Sequence, residues 1–68
     1  MNKINSIRKD WSLIETLIEK NRKILDIGCG DGGLMEQLEN NRNAITHGIE
    51  LNRDLAANAI ARGFNVTH

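Results

Sequence analysis

The stretch Lys23-Ile-Leu-Asp-Ile-Gly-Cys-Gly-Asp-Gly-Gly33 decides the fold of this 68-residue chain. Ile24, Leu25 and Ile27 make a short apolar run, closed by glycines at 28, 30, 32 and 33. Such a run suits a central parallel strand buried on both faces. The glycines let the backbone turn sharply and let another molecule approach with no Cβ in the way. Leu34, Met35 and Leu38 follow at helical spacing with Glu36 and Glu39 outward. The spacing predicts a helix to about Glu39, with residues 40–43 as its exit loop.

On the N-terminal side, Ile7, Trp11, Ile14, Leu17 and Ile18 recur at helical spacing, and Arg8, Lys9, Glu15 and Glu19 fill the other face. An amphipathic helix over residues 6–20 is expected, ended by Asn21 and Arg22 and preceded by a frayed polar start. Asp10 suits the N-cap of a shorter version, and Ser12 with Glu15 forms a Ser-x-x-Glu capping pattern. On the C-terminal side, residues 44–50 alternate Ala44, Thr46 and Gly48 against Ile45, His47 and Ile49, which predicts a second strand. Asn52 is a good N-cap for a helix whose face is Leu55, Ala56, Ala59 and Ile60. Gly63 sits where a C-cap glycine belongs, and residues 64–67 begin a third strand.

Helix, strand, helix, strand, helix, strand implies parallel, right-handed crossovers in one sheet. The expected class is α/β, the first half of a doubly wound fold. Sixty-eight residues are about half of a typical domain, and the alternation stops at His68 in mid-pattern. Residues 1–68 are therefore expected to be the N-terminal portion of a single domain, truncated after the third strand. As an isolated piece it is expected to fold poorly, with exposed edges and an incomplete core.

Composition narrows the function. Nine Lys plus Arg balance nine Asp plus Glu, with the signs interspersed. A nucleic-acid binder or a polybasic membrane binder needs a concentrated positive field, so neither partner is expected. One cysteine, Cys29, with His47 and His68 cannot build a tetrahedral zinc site, and no metal is expected. No apolar run spans a bilayer and no signal-peptide core follows the start. A reduced, cytoplasmic, soluble protein is the expectation.

Ligands of open α/β sheets sit at the carboxyl edge of the strands, where the glycine turn and Glu50, at the end of the second strand, would share one crevice. A helix N-terminus beyond the turn adds unpaired N–H groups. Two ligand classes compete. Gly28, Gly30 and Gly33 satisfy G-x-G-x-x-G, with Glu50 near the spacing a dinucleotide fingerprint requires, so an NAD-dependent dehydrogenase half-domain is one reading. Asp26 separates the two. A carboxylate near the end of an apolar strand is costly unless it meets a cation or several donors, and a pyrophosphate would worsen its position. The ammonium group of S-adenosyl-L-methionine would supply the missing partner.

Here the sequence resembles a family. Residues 26–32 look like the glycine-rich first motif of the Rossmann-like S-adenosylmethionine-dependent methyltransferases, and Gly48-Ile-Glu50 like their acidic second motif. More narrowly, the run from Lys23 through the glycines, then Gly48-Ile-Glu, then Ala61-Arg-Gly-Phe-Asn-Val66 is similar to the methionine biosynthesis protein MetW family, over roughly residues 9–66. The Ala61–Val66 segment and its spacing are the more specific part. The resemblance implies a Rossmann-like, three-layer α/β/α fold and S-adenosyl-L-methionine as cofactor. By the same resemblance Asp26 would hold the amino end of the cofactor, and Gly28, Cys29, Gly30 and Gly32 belong to the turn beneath its methionine and ribose parts. Glu50 would bind the ribose hydroxyls, and Leu51 would pack beside the adenine. It further implies a setting in methionine biosynthesis alongside a homoserine O-acyltransferase, with an active small-molecule methyltransferase as the alternative.

Several residues have plainer readings. Asp31 is expected to cap the following helix, Met35 to be core, and His47 to be packed or at an edge. Cys29 is a small residue that fits the turn, with no base placed to activate it. No residue presents itself as a general base, so no catalytic residue is named.

Overall fold

The computed structural model describes residues 11–68. A helical segment over residues 11–17 (α1) precedes β1 (Lys23–Ile27), α2 (Gly33–Arg42), β2 (Ile45–Ile49), α3 (Arg53–Ala61) and β3 (Val66–Thr67). The strands form one parallel sheet in the order β1-β2-β3, with Asp26 beside Gly48 and Gly48 beside Val66. This is the helix-then-β-α-β-α-β order of the N-terminal part of a Rossmann-like methyltransferase fold.

Both crossovers step the same way along the sheet, and right-handed connections that do so lay their helices on one face. That face carries the small residues of β2. Ala44, Thr46 and Gly48 are buried, with Met35 and Leu38 of α2 and Ala56 and Ala59 of α3 above the sheet. The turn after β1 and helix α2 sit so close that a Cβ on Gly48 would lie 2.5 Å from Cys29 Sγ and 2.8 Å from Met35 Sδ. The buried Thr46 hydroxyl donates to the Glu39 carboxylate of α2, so no polar group is stranded there.

The other face is bare among the described residues. Leu25, Ile27 and Ile45 are 59%, 76% and 63% exposed. The expectation that β1 is buried on both faces is thereby corrected, because one-way crossovers supply a single helical layer. The second helical layer of an α/β/α arrangement is not built from residues 11–68. A groove of about 350 Å³ on this sheet, lined by Lys23, Leu25, Ile45, His47 and Asn65 among others, lies at the starting ends of the strands, away from the glycine turn.

Helix boundaries differ from the sequence pattern where side chains reach distant partners. Residues 6–10, with the Asp10 cap and Ile7, lie outside the described residues. α1 stops after Leu17 rather than at Lys20, where the Ile18 amide bonds the Glu15 carbonyl in a tighter turn, at 3.2 Å. Ser12 lies inside the helical segment, so the Ser12–Glu15 cap does not form. Instead the Glu15 carboxylate accepts from Gln37 Nε2 at 3.0 Å and Asn41 Nδ2 at 2.7 Å, while Arg42 Nε donates to the Glu15 carbonyl at 2.9 Å. These bonds give residues 40–42 a reason to stay helical, and α2 runs to Arg42 rather than Glu39. Asn43, in the left-handed region at φ 50°, ends it. Asn52 caps α3 as expected, accepting the Leu55 amide at 3.0 Å.

Candidate functional site

The glycine turn leaves β1 at the carboxyl edge and is tied to β2 through backbone. The amides of Gly28 and Cys29 both donate to the Ile49 carbonyl, at 2.7 and 3.1 Å. The Gly32 amide closes the turn onto the Cys29 carbonyl at 3.1 Å, and the Glu36 amide begins the helix on the Gly32 carbonyl. Gly28 and Gly30 have φ of 76° and 59°, a region that costs other L-residues energy, and a Cβ on either would meet nothing within 4 Å. Their outward sides face open space.

Gly32 and Gly33 serve a different end. Gly32 is buried with φ 93°, and a Cβ there would lie 2.6 Å from Cδ2 of Phe64. A Cβ on Gly33 would lie 2.8 Å from Cη2 of Trp11 in α1. These two glycines admit the chain's own rings. Gly32, expected with the cofactor turn, takes the N-cap position of α2 beneath Phe64. Asp31, the expected cap, stands one residue earlier, and its Oδ1 accepts the Gly33 amide at 3.3 Å.

Glu50 follows β2 and folds back over the turn. Its Oε1 accepts the Gly30 amide at 2.8 Å and its Oε2 accepts the Asn52 amide at 2.8 Å. The Asn52 and Gly30 amides, in that order, hold its carboxyl below the usual glutamate range. An ionised carboxylate has about four acceptor positions, so two remain after these bonds. The carboxylate therefore joins the glycine turn to the start of α3 and still offers lone pairs to a diol.

Asp26 is the contrasting acid. It lies on the covered face of β1, half-buried, and burial pushes its carboxyl above the usual aspartate range. Among the described residues no donor reaches it. Cys29 is buried between these acids; burial first, then the charges of Asp26 and Glu50, raise its thiol. It is poorly suited to act as a nucleophile. Leu51, beside Glu50, is 87% exposed at the same edge. His47 lies exposed on the bare face with Nε2 2.8 Å from Thr67 Oγ1, apart from the turn.

The structure thus brings Gly28, Cys29, Gly30, Glu50 and Leu51 to one edge of the sheet with Asp26 just below. What the sequence pattern did not show is the pair Arg62 and Phe64, whose side chains lie against Asp31 and Gly32. The only signal was the Ala61–Val66 segment itself.

Among the described residues no helix is long and apolar enough to cross a membrane, and no group of His, Cys, Asp and Glu could hold a metal ion. Ribosomal RNA small subunit methyltransferase A of Prochlorococcus marinus (strain MIT 9211) is 34% identical over 64 residues, which cover 87% of this chain and 23% of that protein. The chain spans under a quarter of that relative's length. The family model of methionine biosynthesis protein MetW matches residues 8–68, nearly the whole chain, and takes in both the glycine turn and the Ala61–Val66 segment. With a methyltransferase-like fold and this site, the chain belongs to the MetW family.

Proposed function

We propose that the chain carries the S-adenosyl-L-methionine site of a methyltransferase-like domain. Asp26 is the observation that supports this most. A half-buried carboxylate with no donor among the described residues, beside a turn whose ligand side is empty of Cβ atoms, is a place for a cation. The cofactor's ammonium group is such a cation, and a pyrophosphate is the opposite. Asp26 holds the ammonium end, and the backbone of Gly28, Cys29 and Gly30 lies beneath the methionine and ribose parts. Glu50 offers its two remaining acceptor positions to the ribose diol, and the exposed Leu51 packs against adenine. The cofactor brings an already activated sulfonium methyl group; the residues described here position it.

We further propose a role in methionine biosynthesis with a homoserine O-acyltransferase as partner, a reading that the family's name supports for the pathway, and co-purification with that enzyme tests it. An active methyltransferase is the second reading, favoured by the methyltransferase relative. That relative's name specifies ribosomal RNA, but the zero net charge and interspersed signs here offer no basic field for such a substrate. Transfer of labelled methyl to small-molecule acceptors tests this reading. Calorimetric titration with S-adenosylhomocysteine and with NAD tests the site itself. Binding of S-adenosylhomocysteine is the expected result; tight NAD binding without it would replace the proposal by the dehydrogenase reading.

A further inference from the structure

The Ala61–Val66 segment has no part in the site above, yet its side chains lie on the outer half of the glycine turn. Arg62 is the C-cap residue of α3. Its Nη1 donates to the Asp31 carbonyl at 2.9 Å and lies 3.6 Å from Asp31 Oδ1, and its Nη2 is 3.0 Å from Glu36 Oε2 in the first turn of α2. The guanidinium carbon is 5.2 Å from the centroid of the Phe64 ring, and that ring covers Gly32. One arginine and one aromatic ring therefore join α3 and the approach to β3 to the turn and to α2.

We propose that Arg62 and Phe64 are positioning residues for the cofactor turn: they hold Asp31 and Gly32 in place, so that Gly28 and Gly30 keep the left-handed backbone the ligand meets. This rests on the cofactor reading given above. The exposed Arg62–Glu36 pair by itself contributes little. A planar guanidinium can serve a carbonyl, a carboxylate and a ring face together, and a lysine ammonium on its flexible stem cannot. Phe64 closes over Gly32, whereas Gly28 and Gly30 stay open. The Gly32 amide bonds the Cys29 carbonyl, so motion at Gly32 passes directly to the residue between Gly28 and Gly30.

The test uses the protein as its gene encodes it, with Arg62→Gln, Arg62→Lys, Phe64→Leu and Glu36→Gln compared with the parent. Amide hydrogen exchange at Gly30 and Gly32, measured without ligand, reads the turn; S-adenosylhomocysteine affinity and the melting midpoint are read in parallel. Arg62→Gln and Phe64→Leu are expected to speed exchange at both amides and to weaken affinity roughly threefold to tenfold, the worth of about one hydrogen bond. Arg62→Lys should not restore either readout, and Glu36→Gln, which spares the Asp31 carbonyl bond, should change affinity less than about twofold. Unchanged exchange in Arg62→Gln and Phe64→Leu, or an equal effect from Glu36→Gln, would overturn the proposal. If the parent fails to bind S-adenosylhomocysteine, the cofactor reading falls, and exchange at the turn then decides the clamp on its own.

Discussion

Four glycines stand within six residues, and the structure divides them into two pairs with opposite surroundings. Gly28 and Gly30 open onto empty space; Gly32 and Gly33 lie under Phe64 and Trp11. In the first pair the missing Cβ leaves open space, which the proposed cofactor would use, and in the second it makes room for the protein's own rings. The lesson is that a glycine-rich motif mixes positions left open with positions that pack. Substitutions should separate the two, with the covered pair moving stability and the open pair and its acids moving affinity.

The largest effect is expected at Gly32. Gly32→Ala combines a left-handed backbone with a ring already 2.6 Å from the new Cβ. It should destabilise the fold by about 2–4 kcal/mol, read as a lower denaturation midpoint. A stability loss no greater than that of Gly30→Ala would break the division.

Next comes Asp26→Asn, which should weaken S-adenosylhomocysteine binding about tenfold to a hundredfold, as loss of a charge-assisted partner does. The same change should slightly raise the melting midpoint of the ligand-free protein. The sign follows from its raised native carboxyl. Below the ordinary aspartate range both states are protonated and ionisation costs the fold nothing. The cost grows as pH rises through the ordinary value and is complete above the native one. Asparagine removes that slope, so a melting curve series across acidic pH should flatten in the variant. Glu50 has the opposite sign: its lowered carboxyl stabilises the native chain at neutral pH and that contribution fades as pH falls through its native value.

Gly30→Ala should lower stability far less than Gly32→Ala. With no atom within 4 Å, only the left-handed backbone is penalised, by about 1 kcal/mol, while the new methyl stands where a ligand would lie. Affinity should therefore fall more than stability. Retention of full affinity would place the ligand elsewhere.

The bare sheet face sharpens the same point about context. In β2 the alternation was plain in the sequence, but which set faced the helices was not. Thr46 and Gly48 are covered because α2 approaches closely and admits only small residues, whereas Ile45 stays 63% exposed. Hydrophobicity alone would have chosen the isoleucines.

What the sequence by itself determined is local: the alternation of strands and helices, the turn after Ile27, the Asn52 cap and the acids at the strand ends. Each depends on residues within a few positions of one another, where period and capping chemistry operate. Only the tertiary structure decided how far α2 runs, which glycines face outward, and that Arg62 reaches Asp31. Those outcomes depend on partners 20 to 31 residues apart, such as Glu50 with Gly30, Glu15 with Asn41 and Arg62 with Asp31. Short-range pattern carries no record of such pairings, because they exist only once the chain has brought its helices and strand ends together around the sheet.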